Sequence, residues 1–360
     1  MSGAVAVIGA GNGGLAFAAF LARAGLDVRL FDNDPEVLRP LAVGGCVRLL
    51  SDGAESFEKL GLVTQDLAAA LAGVRWVMVA TPATSHAAVA EAVAPLAEDG
   101  CKVVLNPGRT GGALEVRYIF DRLRPNNDIT VAEAQTLLFA CRKPDGATVQ
   151  IHGRKARVAV AALPAAATDP TVELMRTVFP EFTPARSVLE TSLMNIGAMF
   201  HPLPMLCNLG RVESDRQGFA YYLEGISPTV AALIERLDGE RIAVAAALGL
   251  ELARAVDWLA EVYGVRKYCL YEAIQLTPAY AAIRAPGAAR VRYLTEDVPT
   301  GLVPLAALGE LVGVPTPTMN AVIHLAGMVT GTDYTQSGRN LARLGLEGFS
   351  RERLLAYAGF

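Results

Sequence analysis

The sequence predicts an α/β domain with a doubly wound, mostly parallel sheet, followed by an all-helical domain. Short apolar runs of strand character alternate with helix-length stretches up to about residue 165, which is the order that builds a parallel sheet covered by helices. Beyond Phe182-Thr183-Pro184 only helix-length stretches recur, among them Ser187–Phe200 and Ser227–Leu248, the second with a start signal at Ser227-Pro228 and a stop signal at Gly249. In the α/β part, Asp66 is the expected N-cap of a helix at Leu67–Leu71. We therefore expect the α/β domain at residues 1–184, with an antiparallel addition at the late edge of its sheet, and the helical domain at residues 185–360.

The first predicted strand ends in a glycine-rich turn. The apolar run Val5–Ile8 leads into Gly9-Ala10-Gly11-Asn12-Gly13-Gly14, and a helix-like stretch then leads to a second apolar run that ends in Asp32. Strand, glycine turn, helix, strand and acid in this order are the fingerprint of a Rossmann domain that holds a dinucleotide pyrophosphate. The predicted cofactor-binding residues of this turn are Gly9, Gly11, Asn12, Gly13, Gly14 and Asp32.

The cofactor predicted from this turn is NAD, used as NADH. Gly9 permits the tight turn, Gly11 lets the backbone approach the pyrophosphate, and Gly14 lets the helix pack on the strand. An acid about 20 residues beyond the turn meets the ribose hydroxyls. Because a carboxylate repels a 2′-phosphate, Asp32 favours NAD over NADP. FAD uses the same fingerprint and stays an alternative from the motif alone.

Polar residues follow two further strands of this domain. The run Trp76–Ala80 leads into Thr81-Pro82, and Val103–Leu105 leads into Asn106. Residues at the carboxyl ends of parallel strands point into the ligand crevice. We therefore expect Thr81, Pro82 and Asn106 to contact the cofactor on its nicotinamide side, with a plain turn at Pro107-Gly108 as the alternative for Asn106.

The composition excludes several classes. A net charge of -4 without a basic stripe argues against nucleic-acid binding. The longest uncharged run, Leu311–Thr330, contains two prolines and a histidine, so we interpret it as a loop and a buried helix, not as a membrane span. Five cysteines without zinc spacing predict no metal site and indicate the thiols of a reducing cytoplasm. The first strand begins too early to leave room for a signal peptide, which also favours a cytoplasmic protein.

Three of the four histidines are weak candidates for catalysis. We expect His86 on the first turn of a helix, where it faces solvent. His152 is the last residue of a hairpin, Leu137–His152, that we predict at the edge of the sheet. His324 lies in an apolar helix, where a buried core histidine is the better interpretation.

The fourth histidine, His201, stands at the end of a helix-like stretch, before Pro202-Leu203-Pro204. Polar groups near it in an otherwise apolar stretch are those of Thr191, Ser192, Asn195 and Asn208, and we expect the two asparagines to contact the substrate. A histidine titrates near pH ~6.5 and can therefore hand over a proton near neutrality.

A second candidate cluster is Arg292-Tyr293-Leu294-Thr295-Glu296-Asp297, in a segment expected to be non-helical. An arginine grips a carboxylate with a bidentate fork. A buried aspartate fixes the tautomer of a neighbouring histidine and favours its charged form. A solvated loop with an internal arginine–acid pair is the alternative interpretation.

The chain resembles the octopine/nopaline (opine) dehydrogenase family, and most closely the members whose amino-acid substrate is norvaline. The matching motifs span nearly the whole chain: Gly9–Gly14, Leu105–Gly108, Thr191–Asn195, His201–Pro204, Tyr221–Ile226, Arg292–Val298, Gly301–Leu305 and Val314–Pro317.

The resemblance implies an NADH-dependent reductive condensation of an α-keto acid, typically pyruvate, with the amino group of an amino acid. It also implies that His201 and Asp297 form a proton-transfer pair and that Arg292 grips a substrate carboxylate. The norvaline-type resemblance favours a neutral, hydrophobic amino acid.

Two alternatives remain at this point. One is another Rossmann-type keto-acid reductase, of the ketopantoate or 2-hydroxy-acid type, which needs no amine. The other is a protein that binds NAD(H) and catalyses nothing. The expected partners are small-molecule substrates, with no nucleic acid and no membrane. Apolar helical segments such as Ile242–Leu250 could form a homodimer interface or simply a core.

Overall fold

The structure is a computed structural model that describes residues 3–42, 44–215 and 217–360. Packing divides the chain into two units. Unit 1 extends to Ser192 and includes Tyr357–Phe360, and unit 2 is Leu193–Ala356. The predicted α/β part followed by a helical part is confirmed. The limits 1–184 and 185–360 stay a prediction.

Unit 1 is built on two β-sheets. Their strands are β1 (Ala4–Ile8), β2 (Asp27–Phe31), β3 (Cys46–Ser51), β4 (Ala54–Lys59), β5 (Leu62–Thr64), β6 (Trp76–Val79), β7 (Lys102–Leu105), β8 (Thr130–Ala134), β9 (Phe139–Arg142), β10 (Thr148–Arg154), β11 (Val158–Leu163) and β12 (Phe182–Pro184). The larger sheet has the strand order β12-β11-β8-β7-β6-β1-β2-β5, and the smaller sheet has the order β4-β3-β10-β9.

The larger sheet has the arrangement that the sequence predicts. Strands β8, β7, β6, β1, β2 and β5 run parallel, and β11 joins β8 in the antiparallel sense. The order of the parallel strands reverses between β1 and β6. Open α/β sheets bind ligands at such a switch point, beyond the carboxyl ends of the strands.

The predicted hairpin forms from β9 and β10, but its expected place at the edge of the larger sheet is wrong. Strand β10 pairs with β3, so the hairpin belongs to the smaller sheet. In β9 Phe139 and Cys141 are buried while the alternate residues are exposed, so one face of the strand needs an apolar partner. The ring of Phe17 provides that partner, with its centroid 5.1 Å from that of Phe139.

The helices of unit 1 lie between its strands or follow them in the chain. They are α1 (Asn12–Arg23), α2 (Pro35–Ala42), α3 (Leu67–Leu71), α4 (His86–Val93), α5 (Gly112–Leu123), α6 (Thr168–Arg176) and α7 (Val188–Leu193), which ends at the unit boundary. Asp66 caps α3 as predicted, because its carboxylate accepts the N–H groups of Ala68 and Ala69 at 3.0 and 3.2 Å.

Unit 2 is helical. Its helices are α8 (Gly197–Phe200), α9 (Pro202–Cys207), α10 (Leu209–Ser214), α11 (Tyr221–Gly225), α12 (Pro228–Ala247), α13 (Ala255–Tyr263), α14 (Leu270–Gln275), α15 (Arg292–Thr295), α16 (Val303–Val312), α17 (Pro317–Thr330), α18 (Tyr334–Ser337) and α19 (Arg351–Ala358). A π-helical turn, Val298–Leu302, precedes α16. Among the described residues, none of the helices combines the length and the apolar character needed to traverse a bilayer.

The start and stop signals of the longest helix are confirmed. The Ser227 hydroxyl accepts the N–H of Val230 at 3.3 Å, and Gly249, with φ of +74°, follows the end of α12. The single helix predicted over Ser187–Phe200 is wrong, because Met194-Asn195-Ile196 separates α7 from α8. Asparagine favours turns over helix interiors, which explains a break at this position.

Candidate functional site

The glycine turn joins β1 to α1 in unit 1. Gly9 has φ of +99° and donates its N–H to the Phe31 carbonyl of β2 at 2.8 Å. A Cβ on Gly14 would lie 1.7 Å from the Gly9 carbonyl oxygen, so only glycine lets α1 begin this close to β1. A Cβ on Gly11 would meet nothing within 4 Å, which leaves the backbone open to a ligand.

The two residues between Gly11 and Gly14 differ in what they contact. Asn12 begins α1, whose first-turn N–H groups and partial positive charge suit a phosphate. Gly13 is buried, and a Cβ there would lie 3.0 Å from Cδ1 of Leu137. A side chain at position 13 would therefore crowd Leu137, and the cofactor contact predicted for Gly13 rests on its backbone alone.

Asp32 is fixed beside the turn by two backbone N–H groups. Its Oδ2 accepts from Ala10 at 2.7 Å and its Oδ1 accepts from Asp34 at 3.0 Å. The carboxylate is half-buried at the end of β2. Each oxygen keeps acceptor capacity that ribose hydroxyls can use.

Two polar atoms at neighbouring strand ends fit a bound cofactor. The Thr81 hydroxyl and the Asn106 carbonyl oxygen are buried, and the described residues give neither of them a hydrogen-bond partner. The Asn106 amide nitrogen donates to the Val104 carbonyl at 2.9 Å, which sets its orientation. A buried polar group without a partner costs about 1–3 kcal/mol. These two atoms therefore suit a polar group such as the nicotinamide carboxamide. Pro82, next to Thr81, is exposed, and its cofactor contact stays a prediction.

Unit 2 brings His201 and Asp297 together. His201 is the residue at which α8 ends and α9 begins, because Pro202 starts the next helix. Its Nδ1 lies 2.8 Å from Oδ2 of Asp297. The Asp297 side chain is 2% exposed, whereas that of His201 is 21% exposed. Since Nδ1 donates to the carboxylate, Nε2 is the nitrogen that can exchange a proton with a substrate.

Tyrosines that the sequence did not single out hold His201 in place. The ring of Tyr293 stacks on the imidazole, with centroids 4.3 Å apart and planes 12° apart. The Tyr221 hydroxyl donates to the His201 carbonyl at 2.7 Å. Burial raises the pKa of the Tyr221 phenol well above its usual value, so this donor keeps its proton. In the sequence, only their positions in the motifs Arg292-Tyr293 and Tyr221-Tyr222 indicated that these two tyrosines could belong to the site.

Arg292 lies on the same segment as Asp297, and the expected non-helical character of this segment is wrong. Residues Arg292–Thr295 form α15, and the π-helical turn begins at Val298. The Arg292 Nε donates to the buried carboxylate of Glu296 in an i,i+4 pair. The arginine side chain is 70% exposed. An anion can therefore approach its terminal nitrogens.

The two predicted substrate-contact asparagines are placed differently. Asn195 is buried, and a Cβ on Gly301 would lie 3.4 Å from its Nδ2. Asn208 donates from Nδ2 to the Pro204 carbonyl at 2.8 Å and to the Gly225 carbonyl at 2.7 Å. Asn208 thus joins α9 to α11. Their contact with substrate stays a prediction.

The expected surroundings of two other histidines are wrong. His86 begins α4 as predicted, but it is buried and does not face solvent, because the helix turns this residue inward. His324 is exposed on α17, next to the exposed Leu325 and Met328, and is not a core residue. The uncharged helix keeps one face in solvent. His152 is exposed on β10.

A dinucleotide-binding turn in unit 1 and a histidine–aspartate pair in unit 2 define a nicotinamide-dependent oxidoreductase. Among the described residues, no group of three or more histidine, cysteine or acidic side chains is placed to hold a metal ion.

Known proteins identify the family. Residues 184–330 match the model of the NAD/NADP octopine/nopaline dehydrogenase α-helical domain, and residues 4–107 match that of the NAD-dependent glycerol-3-phosphate dehydrogenase N-terminus. An opine dehydrogenase of Arthrobacter sp. (strain 1C) is 40% identical over 96% of both chains. The octopine dehydrogenase solved with NADH and agmatine shares the fold, with a TM-score of 0.84, 22% identity and 98% of both chains covered.

The chain belongs to the octopine/nopaline (opine) dehydrogenase family. It is an NAD-dependent oxidoreductase, and its reaction is the reductive condensation of a keto acid with the amino group of an amino acid. A ketopantoate reductase from Ralstonia eutropha JMP134 shares the fold at a lower TM-score of 0.65 and 17% identity, covering 91% of this chain and 98% of its own.

The strictness of NAD over NADP is testable at Asp32. We expect Asp32→Ser to raise the ratio of kcat/KM for NADPH to that for NADH by about tenfold or more, because ~1.4 kcal/mol of removed repulsion is a factor of ten. Steady-state kinetics with both cofactors measures this ratio. Asp34→Ser, in the adjacent loop, is the control. An unchanged ratio in Asp32→Ser would contradict the role of this carboxylate.

Proposed function

We propose that the enzyme condenses pyruvate with a neutral, hydrophobic amino acid, and that His201 and Asp297 transfer the protons of this reaction. The observation that carries the proposal is the 2.8 Å contact between Nδ1 of His201 and the carboxylate of the buried Asp297. A histidine held in one tautomer by a buried carboxylate is a recurring arrangement in general acid–base catalysis.

In the proposed reaction His201 acts as a general acid from Nε2. The amine adds to C2 of the keto acid and forms a carbinolamine. Protonated His201 gives its proton to the hydroxyl oxygen of this intermediate, the C–O bond breaks, water leaves, and a protonated imine remains. NADH, when bound, supplies the hydride that reduces this carbon to a secondary amine. In the reverse direction neutral His201 accepts the proton from the attacking water.

Asp297 is proposed to stabilise the protonated form of His201. A carboxylate in low-dielectric surroundings attracts a neighbouring imidazolium more strongly than it would in water. A buried charge without a partner is costly, so Asp297 needs a cationic or hydrogen-bonding partner as much as His201 needs the carboxylate. The Tyr293 ring stacks on the imidazole of His201. It adds a cation–π attraction of about 0.5–1 kcal/mol when the imidazole is protonated.

Arg292 is proposed to grip the carboxylate of the keto acid. Glu296 takes its Nε, and the terminal guanidinium nitrogens are on the exposed part of the side chain. A guanidinium binds a carboxylate through two parallel hydrogen bonds, which would orient C2 of the keto acid. Pyruvate is supported as this keto acid by the octopine dehydrogenase solved with NADH and pyruvate.

A neutral amino acid is supported by the surroundings of His201. Both acids of the adjoining segment are engaged, Glu296 with Arg292 and Asp297 with His201. Phe200, the residue before His201, packs in a group of aromatic side chains with Tyr222, Trp258 and Tyr280. An amino acid with a cationic side chain would need a further acid, whereas aromatic surroundings suit an apolar side chain.

We also infer a cytoplasmic enzyme, because NADH and keto acids are supplied there and because the cysteines Cys46, Cys101, Cys141, Cys207 and Cys269 are all free thiols. Homodimer formation stays a prediction.

Amine-dependent oxidation of NADH tests the proposed reaction. We expect rapid oxidation with pyruvate plus neutral amino acids such as norvaline or leucine, slower oxidation with arginine or aspartate, and none with pyruvate alone. Absorbance at the NADH band follows the rate, and mass spectrometry identifies the secondary-amine product. Equal rates with and without amine would favour the 2-hydroxy-acid type of reductase, and no turnover with any pair would favour a binding protein.

Substitution of the histidine–aspartate pair tests the proposed proton transfer. We expect His201→Ala and Asp297→Asn each to lower kcat by about 10²–10⁴-fold. The Kd for NADH, from fluorescence titration, should stay within about twofold of the unsubstituted value, since the glycine turn belongs to unit 1. Near-normal turnover by His201→Ala would refute the assignment of the pair.

Substitution of Arg292 tests the proposed carboxylate contact. We expect Arg292→Met to raise KM for pyruvate by about tenfold or more, because a charge-assisted bidentate contact is worth about 1.5–3 kcal/mol. Arg284→Met, an exposed arginine that donates to the Gln217 carbonyl at 2.9 Å, is the control. Weaker NADH binding with an unchanged KM for pyruvate would assign Arg292 to the cofactor instead.

A further inference from the structure

Side chains at and around β9 line up along the N-terminal half of α1. Every second residue faces the helix, as the alternation of a strand dictates. Leu137 packs on Gly13, where a Cβ would lie 3.0 Å from the leucine methyl. Phe139 packs on Phe17, with ring centroids 5.1 Å apart. These contacts fix the strand against the helix.

The same face continues to the glycine turn. The Cys141 thiol donates to the Asn12 carbonyl at 3.4 Å. Two residues further on, Lys143 donates from Nζ to the Ala10 carbonyl at 3.2 Å. The smaller sheet therefore places an ammonium group on the backbone of the turn that holds the pyrophosphate.

Ala10 is held on both sides. Its N–H donates to Asp32 at 2.7 Å and its carbonyl accepts from Lys143. The next residue, Gly11, leaves open backbone, since a Cβ there would meet nothing within 4 Å. The carbonyl that Lys143 holds therefore belongs to the peptide bond that leads into the open backbone of Gly11.

The charge of the pyrophosphate calls for a cation. Each phosphate group carries a negative charge, whereas a helix N-terminus offers the equivalent of about half a positive charge. The first turn of α1, Asn12-Gly13-Gly14-Leu15, has no charged side chain. An ammonium has three N–H donors, so Lys143 can keep the Ala10 carbonyl and donate to a phosphate oxygen at the same time.

We propose that Lys143 is a cofactor-binding residue whose ammonium group contacts the pyrophosphate of NAD(H). Lys143 follows Ala10 by 133 residues and lies outside both segments that match family models, 4–107 and 184–330. The nucleotide fingerprint does not include this lysine. Its position follows from the alternation of side chains from Leu137 to Lys143 and from the contact of Leu137 with Gly13.

Ligand binding by variants of Lys143 tests this role without turnover. Lys143→Gln keeps a donor for the Ala10 carbonyl but removes the charge, and Lys143→Arg keeps the charge. Lys59→Gln is the matched control, because Lys59 also donates to a backbone carbonyl, that of Gly44, in the smaller sheet. The probes are NADH and ADP, which contain a pyrophosphate, and adenosine, which has none. Calorimetry, or competition against NADH fluorescence, gives each Kd.

We expect Lys143→Gln to weaken NADH and ADP binding by about tenfold or more and to leave adenosine within about twofold, in line with the loss of one charged hydrogen bond. Lys143→Arg and Lys59→Gln should bind all three probes as the unsubstituted enzyme does. An unchanged Kd for ADP in Lys143→Gln would overturn the proposal. An equal loss for adenosine and ADP would also overturn it, because the lysine would then act only by holding the turn.

Discussion

The close approach of Gly14 to the Gly9 carbonyl is the constraint on which unit 1 depends. A Cβ at position 14 would lie 1.7 Å from that oxygen, so any other residue would push α1 away from β1. The position of α1 in turn sets two further parts of the site. Its N-terminal turn supplies the phosphate-binding N–H groups, and its outer face receives β9 through Phe17. The absence of a Cβ at Gly14 therefore affects both the cofactor-binding turn and the packing of the smaller sheet on α1.

In unit 2 a second close approach at a glycine likewise lets two elements pack tightly beside the site. A Cβ on Gly301 would lie 2.8 Å from the Cβ of Ala198, so the π-helical turn and α8 pack nearly backbone to backbone. His201 follows α8, and Asp297 precedes the π-helical turn, whose Leu302 N–H donates to the Asp297 carbonyl at 3.1 Å. π-Helical turns often occur at functional sites. Here the turn places a buried carboxylate directly beside a histidine at a helix junction.

The sequence predicts features that local spacing encodes. The glycine turn, Asp32 and the caps of α3 and α12 depend on residues close together in the chain, where steric and hydrogen-bonding rules act alone. His201 and Asp297 are 96 residues apart, and no spacing rule could have paired them. Their pairing followed from a resemblance. The surroundings of His86 and His324 were mistaken, because burial of a helix face depends on partners that a helical pattern does not name.

The motif residues that this chain shares with the family meet more than one kind of physical requirement. Thr191 and Ser192, interpreted from sequence as polar neighbours of His201, donate their hydroxyls to the fully buried carboxylate of Glu133 at 2.7 and 2.9 Å. The N–H of Ala113, in the first turn of α5, donates to the other oxygen of Glu133 at 2.7 Å. A buried carboxylate is tolerable only with such donors, so these two motif residues meet a folding requirement of unit 1.

His201 and Asp297 differ from that network in one measurable respect. The hydroxyls on Glu133 are themselves buried, whereas the imidazole is partly exposed while its carboxylate partner is not. A charge network closed on all sides can stabilise a fold but cannot deliver a proton. A buried acid whose partner reaches the surface can do both, because the protonated and neutral forms of the histidine exchange with a molecule outside the core. This asymmetry separates the motif residues proposed for catalysis from those that the fold requires.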